Sequence, residues 1–505
     1  MAVVISSTEE CPLTKNRSYK YTLSIYCGDG LKFIISCFTI LTISITTTLV
    51  LQILYAEGGP QNKVGIHGAV ATDYTNCSQI GTKILRKNGN AIDAAIAATI
   101  CMTVVAPHKT GLGGGGYIMI YNHKEQIKPI IIDFTNNTIE GNFEQSGIRI
   151  PAVLRGLEYA HKLKGKLSWN EIVEPSVSLA KRGFVVSKEL ATEVSKNINY
   201  EILYGHISAG DILKLPDLSN MLNAVALKGT NGIIFVLYNG TFSQKLLHDK
   251  VKLSKLLPQL IKYEPDIYVA KKSSFYKHAV YYPPHISLLK SMITALENLK
   301  ISADNASTIQ TEIQVAKALI NVVSFPFQLK YAEKKKYTGV IAMDWEDTYN
   351  CLKLSFMTFG LSAPFGLGYM SNAGFLLDKT DTNNTLSVLI PIIFHNERAL
   401  CGLRGVFGTD DISIIGQLLY SIIIRQLNIS EAIEYPRYYF SSNGLTIENN
   451  QKHAVNILIQ NQLNLIVPIS YLDTDIVKSV NAIIKRKDLM SSHSDSRGGG
   501  LSSRF

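Results

Sequence analysis

From residue 65 to residue 121 the chain reads GIHGAVATDYTNCSQIGTKILRKNGNAIDAAIAATICMTVVAPHKTGLGGGGYIMIY. A short apolar strand opens it. Two helical runs follow, separated by Asn88-Gly89-Asn90. Pro107 and a run of four glycines then turn the chain into a second apolar strand, Tyr117 to Tyr121. In the second helical run Ala91, Ile92, Ala94, Ala95, Ile96, Ala97, Ala98, Ile100 and Val104 leave almost no polar face, which predicts a helix buried on all sides. Gly111 to Gly116 spell G-x-G-x-x-G, but with a helix before and a strand after. A dinucleotide site needs the opposite order. The glycines are therefore read as a turn where two backbones approach.

Further along, Ile130 to Phe134 reads as a strand, and residues 148–190 alternate helical runs with Gly and Pro breaks. Residues 200–330 are mixed, lysine-rich and mostly helical in pattern. The apolar, β-branched runs flanking Trp345-Glu346-Asp347 predict a hairpin entering a buried sheet. Residues 403–440 read as a glycine turn, a long apolar helix and a second helix ending near Pro436. The segment SDSRGGG (494–500) has the composition of a flexible tail.

One run stands apart from these globular patterns. Phe33 to Tyr55 is 23 residues without a charge, enough to span a bilayer. Its serines and threonines dilute the hydropathy, but their hydroxyls can bond back to the preceding turn. It is too long for a signal-peptide core and no small-residue cleavage site follows. Lys15, Arg17, Lys20 and Lys32 precede it, with only Lys63 close behind. That bias predicts a single-pass type II signal anchor at 33–55, a cytosolic tail at 1–32, a stem at 56–63 and an extracellular or lumenal body.

Composition adds three constraints. The 505 residues are 46% hydrophobic and 18% charged, as expected of a packed body. The net charge of +10 is spread out. Its densest clusters, Lys334-Lys335-Lys336 and Lys485-Arg486-Lys487, lack aromatic interleaving, which argues against nucleic acid and for a solvated basic surface. Beyond the anchor lie Cys77, Cys101, Cys351 and Cys401. An oxidising compartment would permit disulfides among them, in pairs that spacing leaves open. Sequons at Asn76, Asn136, Asn239, Asn305, Asn383 and Asn428 fit the same placement. The 11 histidines show no metal-ligand spacing, and there is no G-x-S-x-G elbow. Isolated histidines such as His108 and His161 are read as structural or solvated, and no metal or other cofactor is expected.

The order AVAT, CSQIG, LRKNGNAIDAAIAA and PHKTGLGGGGY closely resembles the opening of the large subunit of γ-glutamyltranspeptidases, also called glutathione hydrolases. Similar segments recur at IPAVLRGLEYAHKLKGKLSW, PSVSLAKRGFVVS, FVLYNGTFSQKL and EAIEYPR, and the family ends on a segment like SDSRGGG. The resemblance implies a four-layer αββα sandwich of the N-terminal-nucleophile hydrolase type. Residues 64–334 would correspond to the large subunit and 335–505 to the small one. It also implies a Cys77–Cys101 bridge. A family member cuts itself before a threonine, whose amine activates its own hydroxyl against the γ-glutamyl amide of glutathione. The acyl group then passes to water or to an amino acid.

Against that pattern the chain departs at the chemical positions. Lys335 stands where the nucleophilic threonine belongs, and a lysine amine attacking an amide would only form another stable amide. The nearest hydroxyl, Thr338, is three residues further on, and an odd slip turns side chains to the other face. The family arginine that clamps the substrate carboxylate is replaced by Thr135 in Asp133-Phe134-Thr135-Asn136. Asp378 to Asn383 lacks the carboxylates expected to hold the substrate amine. Ile392-Ile393-Phe394 replaces a Ser-Ser-Met segment, and the oxyanion glycine pair becomes Gly408-Thr409. The reading is a membrane-tethered, catalytically silent relative. It would act by binding glutathione, a γ-glutamyl peptide or a protein partner. The alternative is an active glutathione hydrolase working through Thr338.

Overall fold

The computed structural model describes residues 32–50, 68–123, 125, 127–135, 149–196, 198–234, 257–323, 338–344, 356–362, 369–370, 376–377, 390–399, 401–409, 411–441, 444–448, 479–487 and 489–505. Thirteen strands make two large sheets. They are β1 (Gly68–Ala71), β2 (Tyr117–Asn122), β3 (Ile130–Asp133), β4 (Asp266–Val269), β5 (Lys271–Phe275), β6 (His278–Tyr282), β7 (Thr338–Asp344), β8 (Phe356–Ser362), β9 (Ile390–Asn396), β10 (Arg404–Thr409), β11 (Asn481–Arg486), β12 (Leu489–Ser494) and β13 (Ser503–Arg504). The first sheet runs β13-β1-β7-β8-β2-β3-β4 and the second β12-β11-β10-β9-β6-β5. All neighbours in both are antiparallel.

The helices are α1 (Lys32–Val50), α2 (Thr75–Arg86), α3 (Ala91–Val105), α4 (Val153–Lys164), α5 (Trp169–Arg182), α6 (Lys188–Ser195), α7 (Ile198–Tyr204), α8 (Pro216–Lys228), α9 (Ser287–Asn298), α10 (Ile309–Val323), α11 (Ile412–Leu419) and α12 (Ile429–Glu434). The chain divides into two units, Met1–Val64 and Gly65–Phe505. In the first, α1 is long and apolar enough to cross a membrane. Thr42, Thr46, Thr47 and Thr48 donate to carbonyls four residues earlier. These threonine hydroxyls are thus satisfied within the helix.

In the second unit the strands are apolar on both faces because both faces are covered. In β2, Ile118 and Ile120 join a core with α2 to α8, while Tyr117, Met119 and Tyr121 face residues of the second sheet. In β7, Val340 and Ala342 take the first side, Ile341 and Met343 the other. The second sheet repeats this. Ile393, Val406 and Ile483 join the shared cluster, and Ile392, Phe394, Phe407, Ala482 and Ile484 pack in a core with residues of α9 to α12. Two-sided burial turns period-2 strands into continuous apolar runs.

The predicted α3 is buried at every position. Asn90 starts it with a capping box to Asp93. The buried Asp93 carboxylate also accepts from Lys166 N at 3.1 Å and Leu167 N at 3.0 Å, which ties the α2–α3 turn to the α4–α5 turn. Cys77 of α2 bonds Cys101 of α3, with Cα atoms 5.4 Å apart, as the resemblance implied. Cys401 is disulfide-bonded as well, while Cys351 lies outside the described residues. In the glycine run, a Cβ on Gly115 would come within 2.3 Å of Phe134 O. The turn therefore serves backbone approach.

The stretch 200–330, read as mixed and mostly helical, is so among its described residues, and it also holds β4, β5 and β6. β4 and β5 are edge strands, and their exposed Asp266, Lys271 and Lys272 hide the apolar alternation. Two expectations need correction. The glycine turn expected near 403 is β10. A Cβ on Gly405 would meet Phe394 Cζ and Ile484 Cγ2 at 2.8 Å, so this glycine marks tight packing inside a strand. The SDSRGGG segment is a fixed turn built on Asp495, which has no exposed surface. Asp495 accepts from Arg437 NH2 at 2.6 Å, Val480 N at 3.0 Å and Arg497 NH1 at 2.9 Å.

Candidate functional site

Of the positions that the resemblance singles out, Thr338, Thr135, Gly408 and Thr409 lie at one end of the sheets. In the first sheet, Thr338 opens β7 and pairs with Ser362 at the end of β8. Tyr117 opens β2 opposite Asp133 at the end of β3. Thr135 follows two residues on. It stands at the same sheet end as Thr338, about 14 Å away by three strand spacings. In the second sheet, Gly408 pairs with Asn481 of β11, and Thr409 is buried beside it.

Asn481 joins the two sheets at this end. Its Nδ2 donates to Gly339 O at 2.9 Å and to Asp73 Oδ1 at 2.8 Å. The structure thus brings Gly408 and Thr409 toward the start of β7, next to Thr338. Lys335 and the 378–383 segment lie outside the described residues. Ile392 to Phe394 form the middle of β9 and are buried, where the apolar residues suit a strand core.

Asp73 anchors a buried polar cluster that the sequence reading missed. Ser479 Oγ donates to its Oδ2 at 2.8 Å, and Lys109 Nζ lies 3.5 Å from the same oxygen. Lys109 Nζ is also 3.0 Å from Glu189 Oε2 and donates to Gly498 O at 3.4 Å. His108 Nε2 lies 3.4 Å from Glu189 Oε2. Burial alone would lower the Lys109 pKa, but the charges of Asp73 and Glu189 outweigh it and raise it. Burial pushes Glu189 up, yet His108 and Lys109 hold its carboxyl far below the usual range. Lys109 sits inside PHKTG and Asp73 directly after AVAT, so both were in view. No spacing rule joins residues this far apart in sequence.

Around Thr135 the arrangement is closed on itself. Thr135 N and Oγ1 both donate to Asp133 Oδ1, at 2.8 and 2.6 Å. Tyr268 of β4 donates its hydroxyl to Asp133 Oδ2 at 2.8 Å. Burial, followed by the Asp133 charge, pushes the Tyr268 hydroxyl far up, so it remains a donor. His285 stacks on Tyr117 with centroids 5.8 Å apart, and burial lowers its pKa against the opposing pull of Asp133.

Of the expected glycan acceptors, Asn76, Asn305 and Asn428 are exposed. Asn428 caps α12 by accepting from Glu431 N at 2.8 Å. Asn136, Asn239 and Asn383 lie outside the described residues. Among the described residues no group of three His, Cys, Asp or Glu side chains is placed to hold a metal. His108 belongs to the buried cluster, and His161 bonds Leu167 O at 2.8 Å.

Residues 77–337, just over half of the chain, match the family model described as Gamma-glutamyltranspeptidase. Glutathione hydrolase 7 of Mus musculus is 31% identical over 234 residues, covering 42% of this chain and 34% of that protein. Glutathione hydrolase 5 proenzyme of Mus musculus is 29% identical over 294 residues, covering 51% and 50%. Scoloptoxin SSD14 of Scolopendra dehaani is 31% identical over 207 residues, covering 36% and 35%. The chain therefore spans between a third and a half of the length of these relatives. Among solved structures, a cephalosporin acylase from Bacillus halodurans shares the fold, with a TM-score of 0.67 at 14% identity. That match covers 87% of this chain and 96% of the acylase.

Proposed function

Since this chain belongs to the γ-glutamyltranspeptidase family, we propose that it is a membrane-anchored member which has lost turnover and acts by binding. In this reading the two sheets and their helices are the αββα sandwich of N-terminal-nucleophile hydrolases. Residues 64–334 and 335–505 stay in one uncut chain, with α1 as a type II signal anchor and the body lumenal or extracellular. The interleaving of β7 and β8 between β1 and β2 fits two parts that fold as one sheet.

The observation that carries the reading is Thr135. Where the family would present a guanidinium to a substrate carboxylate, this chain places a hydroxyl that Asp133 already holds. An anionic substrate group there would meet the carboxylate of Asp133 and find no cation at 135. Lys335 at the nucleophile position agrees. Glutathione or a γ-glutamyl peptide is the first ligand class to examine, because the relatives are named for glutathione hydrolysis. A protein partner is the second.

The test is glutamate release. The detergent-extracted full chain is incubated with glutathione, beside an active γ-glutamyltranspeptidase as control. The proposal expects no release above buffer. Release that survives purification and disappears in Thr338→Ala would establish the active alternative.

A further inference from the structure

The fold treats the three residues of the Asn76-Cys77-Ser78 sequon differently. Asn76 is exposed in the first turn of α2, whereas Cys77 and Ser78 have no exposed surface. Cys77 is bonded to Cys101. The Ser78 hydroxyl accepts from Thr72 N at 3.1 Å and shares a hydrogen bond of 2.9 Å with Thr72 Oγ1. In the other two described sequons the middle residues Ala306 and Ile429 are buried as Cys77 is, and the difference lies at the hydroxyl residue. In Asn305-Ala306-Ser307 and Asn428-Ile429-Ser430 both the asparagine and the serine are exposed.

We propose that Asn76 is a conditional glycan acceptor whose modification is decided by a race with closure of the Cys77–Cys101 disulfide. This rests on the lumenal placement proposed above. In the transfer, Asn76 Nδ2 bonds to the anomeric carbon of a lipid-pyrophosphate-linked oligosaccharide. The sugar–oxygen bond breaks, the lipid pyrophosphate leaves with the electron pair, and the amide gives up one proton. The transferring enzyme must reach the amide and the hydroxyl two residues on together.

In the folded protein that hydroxyl is sealed against Thr72 at the end of β1, and the residue between is fixed in a helix by its disulfide. Transfer is therefore confined to the interval before α2 docks. Exchange with a donor disulfide, which is reduced to two thiols as the Cys77–Cys101 bond forms, ends that interval. A glycan added in time is carried into the fold, because the Asn76 side chain itself faces solvent.

The experiment reads site occupancy by peptide mass spectrometry, using the full chain in total extracts of cultured animal cells. The glycan is attached before folding, so a misfolded variant still reports. In the unmodified sequence Asn76 is expected to be occupied in a minority of molecules, and Asn305 and Asn428 in most. Cys101→Ser, which keeps the sequon, shifts Asn76 to the majority and leaves the other two unchanged. Mild reductant in the culture does the same to the unmutated chain. Equal Asn76 occupancy with and without Cys101, while Asn305 and Asn428 are glycosylated, overturns the race and leaves the lumenal placement standing. Absence of glycan at all three sites overturns both.

Discussion

Thr135 gives both its N–H and its hydroxyl to one oxygen of Asp133, at 2.8 and 2.6 Å. The second oxygen of that carboxylate takes the Tyr268 hydroxyl. Three donors from the chain itself thus satisfy Asp133. This end of the sheet is therefore held together by hydrogen bonds from within the chain, one of them from a strand 135 residues away.

Thr135→Arg places a guanidinium at this position. Hydrogen bonds to charged groups contribute about 1.5–3 kcal/mol, or roughly ten-fold and upward in affinity. Titration calorimetry should show glutathione binding tighter by about that factor than in the unmodified chain, with no glutamate formed. Glutamate formation by this single variant would mean that a working nucleophile is already present.

The Cys77–Cys101 bridge closes a loop of sequence separation 24 between two packed helices. Loop-closure entropy for that length corresponds to about 3 kcal/mol. Denaturant unfolding of the non-reduced full chain should show a loss of this size in Cys101→Ser. A loss well under about 1 kcal/mol would mean that α2 and α3 hold equally well without the bond.

Asn481 is expected to be a structural tie between the sheets. Asn481→Ala removes donors to Gly339 O and to the buried Asp73. Leaving such acceptors unsatisfied costs about 1–3 kcal/mol. Hydrogen exchange should speed at Val340 and Ile341 near the start of β7, while β12 stays protected. Unchanged exchange in β7 would contradict this role.

Acid should loosen the C-terminal turn through Glu434. Burial raises this carboxyl, but hydrogen bonds from Ser496 and His493 and the charge of Arg497 bring it from the ordinary 4.5 to about 2. A depressed folded pKa means that the stabilisation is complete above about 4.5 and is lost as pH falls toward about 2. The group is partly exposed, so the effect is small. Chemical denaturation between pH 5 and about 2 should show a shallower decline for Glu434→Gln than for the unmodified chain. Parallel declines would remove Glu434 from the account.

The parts of this fold that were legible are those whose signal is local. The all-apolar α3, the glycine turn before β2 and the hairpin of β7 and β8 follow from runs of neighbouring residues. The three-donor closure around Asp133 was not legible, because Tyr268 stands 135 residues away. Lys271 and Lys272 disguised an edge strand, and Gly405 resembled a turn because its reason is Phe394 across the sheet. The serine, arginine and glycines near residue 497 look mobile by composition. They are fixed because Arg437 and Arg497 converge on one buried carboxylate. The site positions Thr135, Gly408 and Thr409 were found through resemblance alone. Asp73 and Lys109, linked to the start of β7 through Asn481, emerge only from the packing.

The most direct measurement is a reducing denaturing gel of the full chain after glycosidase treatment, with N-terminal sequencing of any smaller band. The account predicts one intact chain spanning Lys335 and Thr338. Two chains, the smaller beginning at Thr338 or Lys335, would contradict it and show that the protein still cuts itself.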